Sequence, residues 1–71
     1  MLVSAGRKRA SALRPGDWIA PAPRLSMVRE IRTIAPYAPD PTRLRVSFWD
    51  SAFVRLLRPW STHRVSKEEL D

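Results

Sequence analysis

Along most of this chain the apolar positions come in brief alternating runs, cut apart by proline, aspartate and glycine. The clearest run is Leu44 to Trp49. Leu44, Val46 and Phe48 fall on one side and Arg45, Ser47 and Trp49 on the other, the period-two pattern of a half-buried strand. Asp50-Ser51 supplies a tight turn and Ala52 to Leu57 returns, so Leu44–Leu57 reads as a β-hairpin. Upstream, Pro15-Gly16-Asp17 is a turn signal, and Trp18-Ile19-Ala20 after it reads as a short strand stopped by Pro21-Ala22-Pro23. Arg58-Pro59-Trp60-Ser61 breaks the hairpin's return strand, and a single turn of tight helix is expected there. Thr62 to Val65 follows as a final strand. Ser66 with Glu69 fits a capping box, which predicts a last helical turn over Lys67–Leu70.

Two stretches are less regular. In Leu25 to Ile34, Val28, Ile31 and Ile34 recur every three residues, which suits a short helix. The Val, Ile and Thr content and the length of about ten residues suit a bent strand with a bulge instead, and that is the expectation adopted. Ala35 to Thr42 holds three prolines and an aspartate and reads as a loop. Its Pro36-Tyr37-Ala38-Pro39 matches PxxP by spacing, and a loop spacer is the plainer reading. Residues 1–12 show no sustained periodicity and carry Arg7-Lys8-Arg9. They are expected to be a flexible basic arm, with a short helix ending before Pro15 as the other reading, and residues 13–71 are expected to form a small β-barrel domain.

The order of these elements, and the phrase Leu13-Arg14-Pro15-Gly16-Asp17-Trp18-Ile19, resemble an SH3-like small β-barrel. The phrase is similar to the Leu-x-x-Gly-Asp-x-Val opening of KOW, Tudor-like and related barrels, and the resemblance covers about residues 13–66. It implies a mostly β fold of about five short antiparallel strands. The chain departs from the KOW pattern in lacking a glycine in the second-strand region, since its only glycines are Gly6 and Gly16. It also lacks the acidic aromatic loop of signalling SH3 domains. The resemblance therefore carries an architecture and no binding residues. The core expected from this pattern is Trp18, Ile19, Val28, Ile31, Val46, Phe48, Val54, Leu56 and Val65, with Trp60 also buried.

Length and charge narrow the function. Seventy-one residues make one domain at most, and a chain of that size buries only about 60% of its unfolded surface. With no cysteine there is neither a disulfide nor a thiolate, which suits a reducing compartment and an expected cytoplasmic location. No segment is apolar enough over about 20 residues to span a bilayer, so no membrane partner is expected. The net charge is +6, and eleven of the 13 basic residues are arginine. Arginine forks fit phosphates and carboxylates and stack on rings, although a GC-rich genome also supplies arginine codons. Residues 1–35 hold seven basic and two acidic side chains, against six and five in residues 36–71.

Catalysis finds little support. His63 is the single histidine and reads as a packed or half-exposed strand residue. The carboxylates are scattered without metal-ligand spacing, and no glycine-rich phosphate loop is present. No catalytic residue, metal or cofactor is therefore expected, and the chain reads as a non-enzymatic binding module. The proposed contact set is Arg7, Lys8 and Arg9 of the arm with Arg43, Arg45, Trp49 and Arg55 of the hairpin. Guanidinium groups beside an exposed ring could hold phosphates and stack a base. Two partners stay open: nucleic acid, or a protein on which a small phage-type regulator docks. For the second, Trp49 or Tyr37 would be the anchoring ring; against both, arginines that solubilise the sheet and a Trp49 that caps the open end of a barrel are the plainer reading of the same residues.

Overall fold

A computed structural model of the protein describes residues 1–69. Six antiparallel strands form one sheet: β1 (Leu2–Arg9), β2 (Asp17–Ile19), β3 (Arg29–Tyr37), β4 (Asp40–Phe48), β5 (Ser51–Leu57) and β6 (Thr62–Glu68). Their spatial order is β1-β6-β2-β3-β4-β5. The fold is mostly β, as expected, with one strand more than the five anticipated. The sheet does not close into a barrel, because β1 and β5 remain as its two edges. Arg7 on β1 and Arg55 on β5 line the same groove at that opening. Among the described residues no helix is long and apolar enough to cross a membrane.

The extra strand is the stretch expected to be an arm. Residues 2–9 pair with β6, from Leu2 opposite Glu68 to Arg9 opposite Thr62. A bulge explains why the sequence hid it. The register shifts between Ser4 and Arg7, and Gly6 takes a positive φ of 80°. Half-buried positions fall at Val3 and Ala5 before the bulge, then at Lys8 with Ala10 fully buried after it. The alternation is present but changes phase at Gly6. A turn of 3-10 helix, Ala10–Ala12, follows the strand.

The turn before β2 was read correctly, and its chemistry is clear. The Asp17 N–H donates to the Arg14 carbonyl, 3.1 Å, across Pro15 and Gly16. Gly16 has a φ of 97°, the conformation a type II turn requires at the position after proline. Asp17 is itself buried, and its carboxylate accepts from the Arg14 N–H at 3.0 Å and pairs with Lys8 at 3.4 Å. Beyond β2, the Leu25–Ile34 stretch is strand rather than helix, but it starts late, at Arg29, and runs on to Tyr37. The expected Ala35–Thr42 loop is thus mostly strand. Pro36 pairs opposite Leu44 beside a register shift, and Pro41 lies in β4. Proline is tolerated at such irregularities because it need not donate to the ladder there.

Ala10, Leu13, Ile19, Ile31, Val46, Phe48, Leu57 and Val65 form the core. Trp18 and Val28 are only half-buried. Val54 and Leu56, expected inside, are 43% and 38% exposed, and Leu57 is buried in their place. The hairpin register is the reason. Val46 pairs with Arg55 and Leu44 with Leu57, so Arg55 and Leu57 share the face that packs on the core. A one-residue difference in register exchanges the two faces of a strand. Trp60 is 65% exposed on the turn before β6, with the Arg58 guanidinium 5.9 Å from its ring. The capping box at Ser66 does not form. Ser66 pairs with both Ser4 and Trp18 in the middle of the sheet, and ladder pairing on both sides overrides the local cap signal. Leu70, the end of that expected helical turn, lies outside the described residues.

Candidate nucleic-acid interface

A groove of about 580 Å³ lies where the sheet fails to close. One wall comes from β1, β5 and β6 and holds the cations Arg7, Arg55 and Arg64 with the imidazole of His63. The other is apolar and comes from the end of β2 and the loop after it, with Ile19, Pro23, Leu25 and Val28. Hydroxyls of Thr62, Ser66 and Ser26 lie along it, and among the described residues no carboxylate lines it.

Each cation is placed by the fold. Arg7 and Arg64 are direct cross-strand partners in the β1–β6 ladder. Like charges in that relation destabilise a sheet. Arg7 donates to the Thr62 hydroxyl at 3.4 Å. Arg55 shares the face of Val46 and is half-buried, and its guanidinium donates to the Ala20 carbonyl at 3.1 Å, tying edge strand β5 to the end of β2. Burial lowers its pKa from the ordinary value, although a guanidinium keeps its charge. His63 pairs opposite Lys8, and its Nε2 lies 2.8 Å from the Ser61 hydroxyl. Burial lowers the pKa of the imidazole, and the positive charges of Arg55 and Arg7 lower it further. Among the described residues, no ion pair involves Arg7, Arg55 or Arg64.

The remaining residues of the sequence-derived set are distributed differently. Lys8 is engaged by Asp17 rather than free on an arm. Arg9 is exposed at the end of β1, opposite Thr62. Arg43 pairs with Asp40 at 3.4 Å. The Thr42 hydroxyl and N–H also donate to Asp40, and the hydroxyl is the main reason the carboxyl sits below its usual range. Arg45 is exposed on the outer face, opposite Leu56. Trp49 lies on the hairpin turn, 59% exposed, and the guanidinium over its ring is that of Arg32 at 4.8 Å, not Arg45.

Arg7 and Arg55 therefore meet, while the Arg45 and Trp49 surface lies apart from them. The sequence reading missed Arg64, His63 as a groove residue, and the apolar wall. Arg64 has a signal only if β1 is known to be a strand, because its partner is Arg7. No known protein family matches the chain, and no curated protein or solved structure matches it. Among the described residues, no three His, Cys, Asp or Glu side chains come together in a way that could hold a metal ion.

Proposed function

We propose that the protein is a small nucleic-acid-binding module whose groove grips the phosphate backbone. The observation that carries this is the Arg7–Arg64 cross-strand pair, with Arg55 and His63 beside it and no acid among the described residues that line the groove. Such a cluster costs the fold stability unless an anion relieves the repulsion. A concave, single-sign site also concentrates the field on an incoming polyanion. The net charge of +6 acts in the same direction at longer range. In this reading the protein is cytoplasmic and non-enzymatic, and its likeness to SH3-like, KOW and Tudor-like barrels is one of architecture only.

The test is titration of a fluorescent single-stranded oligonucleotide at low salt. Charge-assisted contacts are each strong enough that Arg7→Gln with Arg64→Gln should weaken binding by about tenfold or more. Arg45→Gln with Trp49→Ala should have a much smaller effect. A folded Arg7→Gln/Arg64→Gln protein that binds as tightly as the parent contradicts the proposal. Loss confined to the Arg45 and Trp49 changes would place the interface on the hairpin.

A protein partner is the second reading, and β5 favours it. This edge strand exposes Phe53, Val54 and Leu56, so a partner strand could add to the sheet over an apolar surface. Recovery of a nuclease-resistant protein partner, lost on Val54→Ser, would support that reading over the first.

A further inference from the structure

The two walls of the groove differ in chemistry, and neither alone accounts for the other. Cations suffice to hold a phosphate, so a purely electrostatic site needs no apolar side. Here Leu25 is left 38% exposed along that side, and Pro23 and Val28 stand with it. The loop is stiffened by Pro21, which is buried, and Pro23, and it turns through a hydrogen bond from the Leu25 N–H to the Ala22 carbonyl, 3.2 Å. An apolar surface on a braced loop, lining the same groove of about 580 Å³ as three arginines, is complementary to an amphiphilic anion. The volume lies within the roughly 300–1,000 Å³ of ordinary small-molecule sites.

We infer that the groove takes one nucleotide unit of a single strand, with its phosphate on Arg7, Arg55 and Arg64 and its base against Pro23, Leu25 and Val28. This inference rests on the nucleic-acid reading and deepens it, since it names the part of the polymer that enters the site. Charge complementarity places the phosphate on the arginine side. The base face is the only large apolar surface of a nucleotide, and it falls to the loop side. Ser26, Thr62 and Ser66 offer hydroxyls to the sugar and the base edge. A duplex keeps its bases stacked inside and presents phosphates on a convex rod, so it can reach the rim of the groove but cannot fill it. An unpaired strand or a free mononucleotide can.

The experiment is backbone-amide NMR titration of the full chain with three probes: adenosine monophosphate, inorganic phosphate and adenosine. The monophosphate should bind about fivefold tighter than inorganic phosphate, the low end of what a base contact contributes, because this wall is aliphatic. Adenosine should bind weakest. Shifts should centre on residues 19–28, 55 and 62–66. Leu25→Ser, on an exposed side chain, should erase the advantage of the monophosphate while leaving phosphate binding unchanged. A single-stranded oligonucleotide should bind more tightly than its duplex. A monophosphate no tighter than phosphate, or a Leu25→Ser protein that keeps the full advantage, overturns the inference. If oligonucleotides still bind in that case, the wider nucleic-acid reading stands. If neither the oligonucleotides nor the monophosphate bind, both fall.

Discussion

His63 is the residue through which the groove's electrostatics can be read. It lies in the ladder between Thr62 and Arg64 on β6, with Arg7 and Lys8 on β1, Lys8 being held by Asp17 of β2, and Arg55 on β5. Burial first, then Arg55 and Arg7, lowers its pKa below the ordinary 6.5. The folded protein therefore releases this proton at a lower pH than the unfolded chain does. As pH falls below the unfolded value, the unfolded state binds the proton first, and stability is lost until pH passes the folded value. Heating from about pH 7.5 down to about pH 5 should show a steeper fall in Tm for the parent than for His63→Gln, which cannot titrate there. A bound phosphate works in the opposite direction, because it neutralises the arginines' field and raises the imidazole pKa. Binding should therefore tighten over the same acid range in the parent and change less in His63→Gln. Identical pH profiles for the two proteins would show that His63 does not sense the groove's charge.

At the scale of elements, the hairpin separates what sequence pattern can and cannot determine. The alternation Leu44, Val46, Phe48 was legible because β4 is regular along that run, and Val46 and Phe48 are indeed buried. The same logic failed on β5, where either set of alternating residues is apolar enough to be inside: Phe53 and Leu57, or Val54 and Leu56. Only the pairing register decides, and it is set by the irregularity between Ser47 and Phe48, which no local pattern announces. β1 was missed for a related reason, the phase change at Gly6. The groove was then illegible as well, since its Arg7–Arg64 pair exists only through the β1–β6 ladder. The turn at Pro15-Gly16 was legible because its chemistry is local. The two faces of the hairpin make a direct comparison. Phe48→Ala should cost about 3–5 kcal/mol, enough to nearly unfold a domain of about 5 kcal/mol, whereas Leu56→Ala on the exposed face should cost about 1 kcal/mol or less. Equal losses in denaturant melts would mean that the β5 register is wrong.

For the whole molecule, the unclosed sheet and the excess positive charge describe one arrangement. Closure would bring β1 against β5 and bury Arg7 and Arg55 together, and no acid among the described residues lines the groove they share. With the edges apart, Arg7 is exposed and Arg55 half-buried at the groove. The acids in ion pairs among the described residues lie elsewhere: Asp17 under Lys8 at the β2 turn, Asp40 with Arg43 at the β3–β4 turn, and Glu68 with the N-terminus. That segregation leaves the groove as a concentrated positive region on a chain of net charge +6. If the three arginines share the phosphate of the bound nucleotide, binding releases about one counterion's worth of charge. The most direct test is therefore the salt dependence of single-strand affinity, measured by anisotropy between about 50 and 200 mM salt. The slope of log K against log salt should be about −0.7 for the parent, since single strands give about −0.7 per phosphate contact, and shallower for Arg7→Gln with Arg64→Gln. No measurable binding at low salt, or the same slope in both proteins while both remain folded, would contradict a phosphate-gripping groove.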